Sequence, residues 1–172
     1  MKSNLWSSAA TNGFLLALVT IIFTLFQAAF PMEGIAVNAL LSLVKLVATI
    51  GLLFYFMRAF GQTQEDSYTY SQAFSYGFLV SFCSNIVIAC YFWIHHTMIF
   101  PDLLEKSLSN MEKLYAQYNV DQAAIDIVIK YWPVISSVGP FILYSLLALI
   151  FAAILALFAK KPDIPFPNEA QD

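Results

Sequence analysis

Residues 41–50 read LSLVKLVATI. Lys45 is the one charged residue in a run that is otherwise apolar or hydroxylic. The run lies inside residues 35–57, a stretch that carries no other charge and whose remaining polar groups include Asn38, Ser42 and Thr49. Counting it as a membrane span makes the fold a four-span one. Charge parses the rest of the chain, because residues 3–32, 67–101 and 131–159 contain no Asp, Glu, Lys or Arg. A spanning helix needs about 20 mostly apolar residues. The charge-free gaps therefore hold spans at 12–30, 73–100 and 134–159, with 35–57 as the fourth.

Composition supports lipid as the solvent. Of 172 residues, 60% are hydrophobic and 11% charged, against roughly 25% charged in soluble domains. Mean hydropathy is +0.72. A soluble fold of this size leaves too much of its surface exposed to hide so apolar a residue set. The net charge of −3 argues against nucleic acid as a partner, since that needs a basic stripe. Cys83 and Cys90 are seven apart, which on one helix is about 10 Å of rise and too far for a disulfide. They read as small buried hydrophobes.

The first apolar run is too long for a signal peptide, and FQAAFPM offers no clean cleavage site, so it reads as a retained helix. PMEG, residues 31–34, is a short breaker that sets spans one and two antiparallel. The next connection, RAFGQTQEDSYTYSQ, is polar and turn-forming. Residues 101–133 are different. Pro101 suits a first helical position, and Asp102 and Glu105 suit a first turn. Leu104, Leu108, Met111, Tyr115 and Tyr118 then mark one apolar face of an amphipathic helix. Asn119 with Gln122 resembles a capping pair opening a second short helix, in which Ile125, Val128, Ile129 and Trp132 share a face. This segment is expected at the membrane surface or on top of the bundle. The proline-rich tail, 162–172, is expected to be flexible. The fold class is thus all-α: one integral membrane four-helix bundle over residues 1–161, with an extramembrane amphipathic segment between spans three and four.

Four spans place both termini on one side. That side holds Lys2, Arg58, Lys160 and Lys161, and the other holds Lys106, Lys113 and Lys130. The basic excess points to cytoplasmic termini.

The stretch YTYSQAFSYGF, followed by IACYFWIHHTMIFPDLLEK, is similar to a bacterial family of four-span membrane proteins, domain of unknown function 4199. The shared points are an A-F-x-x-G opening to span three (Ala73, Phe74 and Gly77), an aromatic exit ending in Pro101 and Asp102, and a helical stretch before span four. The resemblance implies a four-helix protein of a bacterial inner (cytoplasmic) membrane and brings no catalytic residues with it.

Polar residues inside the spans form stripes. In span one Gly13, Ala17, Thr20, Thr24 and Gln27 share a face, and in span two Asn38, Ser42, Lys45 and Thr49 do so. Span three offers Gly77, Ser81 and Asn85, and span four Ser145, Ala148, Ala152 and Ala156. Small residues at this spacing let helices approach, and buried hydroxyls and amides bond across the interface. The same stripes could instead line a polar path. A lysine at the bilayer centre costs about 2.5–3.5 kcal/mol, and no span holds an acid to pair with Lys45, the nearest being Glu33 and Asp102 at the span ends. Its stem can also snorkel to the interface if the span slides toward residues 40–60; the functional alternative is a cation that binds an anionic solute or a lipid headgroup, or that titrates.

His95 and His96 point about 100° apart on an α-helix. They cannot chelate one metal together, and no zinc or haem spacing exists, so no metal or cofactor is expected. They read as interfacial residues, with a pH-sensitive role as the alternative. Trp6, Trp93 and Trp132 lie near span ends, as an aromatic belt would place them. No serine-histidine-acid set, phosphate loop or paired carboxylate appears in a span. The expected function is a non-enzymatic structural or accessory module that packs in the bilayer with copies of itself or with partner membrane proteins. A solute or ion transporter lined by spans one and two is the alternative, and a lipid-modifying enzyme the third.

Overall fold

A computed structural model describes residues 4–30, 35–64, 67–99, 101–118 and 121–160. The expected PMEG turn, the cap at Asn119 and the tail after Lys160 lie outside them. The described residues form helices α1 (Leu5–Ala29), α2 (Ile35–Gln62), α3 (Tyr70–Ile94), α4 (Pro101–Gln117) and α5 (Gln122–Ala159), with a π-helical turn, His95–Ile99, after α3. No strand occurs among them. Four stretches are long and apolar enough to span a bilayer: Leu5–Ala29, Ala36–Gln62, Tyr70–Ile99 and Val134–Ala159. The chain is an all-α, multi-pass membrane protein whose four long apolar helices form a bundle.

Helix boundaries follow local chemistry. α1 starts at Leu5, ahead of the run that begins near Asn12, because nothing in WSSAAT breaks a helix. α3 starts at Tyr70 rather than Ala73. There the Thr69 hydroxyl accepts from the Gln72 backbone N–H (3.3 Å) and the Thr69 N–H donates to the Gln72 side-chain oxygen (3.0 Å). This is a reciprocal capping box. α2 runs to Gln62 and closes with the Thr63 N–H on the Phe60 carbonyl. At the start of α5 the cap is Asp121, whose carboxylate accepts from the Ala123 N–H at 3.4 Å. The expected short second helix is not a separate element: α5 continues from Gln122 into the fourth span, through Pro133 and Pro140. Each proline removes one N–H from the helical ladder, a loss that helices in lipid tolerate where neighbouring groups compensate.

Two compact units divide the chain, Met1–Asn85 with Ser145–Asp172, and Ile86–Tyr144. In the first, all four long helices contribute to one core of Ala9, Leu16, Leu53, Phe56, Met57, Phe60, Tyr68, Ala73, Tyr76, Val80, Ala156 and Ala159. These residues come from the start of α1, the end of α2, the start of α3 and the end of α5, so the core gathers the end of the bundle that carries the chain termini. Phe60 stacks on Tyr76 at 4.0 Å and meets Tyr68 edge-on at 6.2 Å. Glycines permit the close approaches. A Cβ on Gly13 would lie 2.7 Å from both the Cys83 Cβ and the Val80 carbonyl, and one on Gly61 would lie 2.6 Å from the Tyr68 ring.

In the second unit Leu108, Met111 and Tyr115 of α4 are half-buried, as an amphipathic face requires. Tyr118 leaves that face and is 73% exposed, because α4 ends at Gln117. The Ile125 face holds: Ile125 is buried, Val128, Ile129 and Trp132 are half-buried, and Ile127 and Tyr131 turn outward.

Candidate functional site

The polar stripe of α2 proves to be part of a longer face. Asn38, Ser42, Lys45 and Thr49 are followed at the same spacing by Leu53, Phe56 and Phe60, all three in the core. On α1 the buried Ala9, Gly13 and Ala17 are followed by Thr20, Thr24 and Gln27. Each face is buried toward the terminal end and opens toward the other. That face is apolar or small toward the terminal end and polar toward the end where α1 runs into α2. Since α1 and α2 are in contact and antiparallel, their polar halves lie at the same end.

Burial falls along these faces. Thr20, Thr24, Gln27, Lys45 and Thr49 are half-buried, whereas Asn38 and Ser42 are exposed. Two hydroxyls bond back to their own helices: Thr24 Oγ1 donates to the Thr20 carbonyl (2.9 Å) and Thr49 Oγ1 to the Lys45 carbonyl (2.8 Å). Such back-bonding satisfies a hydroxyl in lipid without a partner helix. Asn85 is buried and reaches across helices, its Nδ2 donating to Ser145 Oγ at 3.4 Å. Ser81 donates to the Gly77 carbonyl at 2.9 Å.

A second polar group, at the terminal end, has no counterpart among the expected site residues. Tyr76 is fully buried, and its phenolic oxygen takes a hydrogen bond from Asn12 Nδ2 (2.6 Å) and shares another with Ser8 Oγ (2.9 Å). Tyr68 is equally buried, yet its hydroxyl has no partner. Burial, then the neighbouring Tyr76, pushes the Tyr68 phenol well above the ordinary tyrosine range. The i, i+4 spacing of Ser8 and Asn12 on α1 was the available signal, but α1 was expected to begin beyond Ser8. The A-F-x-x-G opening of α3 falls in this region too: Ala73 is buried, and a Cβ on Gly77 would lie 2.8 Å from the Met57 sulfur.

In the second unit the two histidines are sheltered by their own helix and its neighbours to different degrees. His95 is 3% exposed, and its Nδ1 pairs with the Tyr91 hydroxyl at 2.9 Å. His96 has a buried Nδ1 without a hydrogen-bond partner, and its ring stacks with Phe92. The two imidazoles meet edge to face at 5.2 Å inside the π-helical turn. That turn directly precedes α4, whose first residue, Pro101, has no N–H to continue a regular ladder. Among the described residues no group of three or more His, Cys, Asp or Glu side chains could hold a metal ion. Of the two thiols expected to be buried, Cys83 is half-buried against Gly13 and Cys90 is exposed.

The family model described as "Protein of unknown function (DUF4199)" matches residues 11–161. The chain belongs to this family. No curated protein and no solved structure matches it.

Proposed function

We propose that this member of the DUF4199 family is a non-enzymatic assembly module of the bacterial inner membrane, one that pairs with a second copy of itself through α2. One observation carries the reading. Opposite the inward face of α2 runs an exposed stripe of Leu40, Val44, Val47, Gly51, Tyr55 and Arg58. At its centre Gly51 has nothing within 4 Å of the position a Cβ would take. Gly13, Gly61 and Gly77 all have close neighbours, so their place in the fold is accounted for, while Gly139 of α5 is as open as Gly51 but follows Pro133 and precedes Pro140 rather than lying in an unbroken apolar stripe. Gly51 costs helix stability, about 1 kcal/mol relative to alanine in water, with no return inside one chain. A glycine on an apolar helix face lets a second helix approach closely in lipid.

The test uses the same open space. Gly51→Leu fits the monomer and removes the glycine's helix penalty, so the folded chain keeps or raises its unfolding temperature, while the wedge separates the two α2 helices. Single-molecule photobleaching of the full chain in vesicles should show two-step traces for the unmodified protein and one-step traces for Gly51→Leu. A monomeric unmodified protein, or a leucine variant that pairs equally well, would sink the idea.

The co-location of Thr20, Thr24 and Gln27 with Asn38, Ser42 and Lys45 at one end of the bundle favours a second reading, a polar path for a small solute or ion. In that case Lys45→Met must change solute flux in proteoliposomes; unchanged flux removes it.

A further inference from the structure

Lys45 is the only charged group inside the four spans before Arg58, and it is half-buried on the inward face of α2. No Asp or Glu lies within any of the spans. Among the described residues no carboxylate pairs with the Lys45 ammonium, and no hydrogen bond engages it, the Ser42 hydroxyl or the Gln27 amide. A cation at this depth faces a cavity or finds a counter-charge.

Geometry sets the depth. α2 has 28 residues, about 42 Å at about 1.5 Å per residue, against a hydrocarbon core of about 30 Å. Arg58 is exposed, its guanidinium 5.8 Å over the Phe54 ring, and marks one boundary. About 20 residues back, the other boundary falls at Asn38. Lys45 then lies about 10 Å inside, with Ser42 one turn nearer the headgroups. Its stem can carry the ammonium toward Ser42. Beside this donor set Leu43 and Leu46 are 56% and 45% exposed and offer an acyl chain an apolar surface off the pairing stripe.

We infer that Lys45, Ser42 and Gln27 hold the phosphate of an anionic phospholipid at the end of the bundle where α1 runs into α2. The single positive charge complements a phosphodiester, the hydroxyl and amide supply further donors, and the ammonium becomes charge-paired without a protein acid. Charge-assisted hydrogen bonds of this kind are the strong ones. A free phosphate ion offers the same chemistry without the acyl surface.

Native mass spectrometry of the full chain, titrated separately with dioleoylphosphatidylglycerol and dioleoylphosphatidylcholine, tests the assignment. The unmodified protein should retain phosphatidylglycerol in preference. Lys45→Gln should weaken that retention about tenfold, and Lys45→Arg should keep it. Equal retention by the unmodified and Lys45→Gln proteins, or no preference over phosphatidylcholine, overturns the inference. Displacement of phosphatidylglycerol by millimolar inorganic phosphate assigns the site to a free ion and overturns it as well, as does a carbodiimide cross-link between Lys45 and a carboxylate of a second copy. If Lys45→Gln fails to fold, the double variant Ser42→Ala, Gln27→Leu keeps the cation and must still weaken retention about threefold; unchanged retention there is equally decisive against it. Gly51→Leu alters the opposite face of α2 and should leave lipid retention intact, so this inference and the pairing proposal fail separately.

Discussion

Tyr68 and Tyr76 are both fully buried beside Phe60, but only Tyr76 has partners for its hydroxyl. An unpaired buried hydroxyl costs about 1–3 kcal/mol, whereas a satisfied one contributes about 1 kcal/mol. Opposite outcomes follow for one chemical change. Tyr76→Phe strands Asn12 and Ser8 and should cost about 1–3 kcal/mol. Tyr68→Phe removes only an unsatisfied group and should raise stability by about 1 kcal/mol. Thermal unfolding of both variants in the same detergent checks the signs. Alkali provides an independent reading, because the folded Tyr68 phenol titrates well above its usual value near 10. Below about pH 10 both folded and unfolded chains carry the proton, and this residue adds no slope. Above it the unfolded chain loses the proton first and the folded chain keeps it. Stability therefore falls as pH rises through this window, by up to about 1.4 kcal/mol per pH unit from this residue. Tyr68→Phe should shed that part of the alkaline decline, while Tyr76→Phe retains it.

Two glycines show how the same substitution differs with the element it meets. On α1 a Gly13 Cβ would press on the Val80 carbonyl and the Cys83 Cβ of α3, neither of which can step aside. On α3 a Gly77 Cβ would meet the Met57 sulfur and terminal carbon, the mobile end of a flexible chain. Gly13→Ala should cost about 1–3 kcal/mol, as overpacking does, and Gly77→Ala less than about 1; equal losses in thermal unfolding would contradict this. Much of the helical organisation was legible beforehand. Charge-free gaps located the spans because lipid excludes Asp, Glu, Lys and Arg from a helix surface, and T-Y-S-Q at 69–72 was a readable capping box. The polar stripes on α1 and α2 were also readable. Their continuation into the core was not, because Thr49 and Leu53 share a face across a change from polar to apolar that a search for either class alone ends at. Nor could spacing show that α5 runs unbroken past Pro133 and Pro140, since in water those prolines would argue for a break. Tyr68 lay in a segment that reads as polar loop, and its burial depends on Gly61 yielding space to the ring.

At the scale of the whole molecule, an even number of crossings returns a chain to its starting side, so the termini are expected on the side of the α2–α3 connection. The shared core of Ala9, Phe60, Tyr68 and Ala159 agrees with that expectation, because it brings together the start of α1, the end of α2 and the end of α5. Which side faces the cytoplasm is a matter of charge. Lys2, Arg58, Lys160 and Lys161 stand against Lys106, Lys113 and Lys130, a margin of one. What weighs more is placement. Lys160 directly follows the last residue of the fourth span and Arg58 sits four residues before the end of the second, whereas Lys130 lies four residues before the fourth span and Lys106 seven beyond the third. The termini should therefore be cytoplasmic. The prediction is checked in a background with Cys83→Ala and Cys90→Ala, which removes both native thiols. Gln64 in the α2–α3 connection and Glu112 on α4 both sit outside the spans, Glu112 fully on the exposed side. In intact cells a membrane-impermeant maleimide should label Glu112→Cys and spare Gln64→Cys until the membrane is opened. The reverse pattern would place the termini outside. It would also move the Lys45 site to the cytoplasmic leaflet, so the lipid that fills it would have to be sought there.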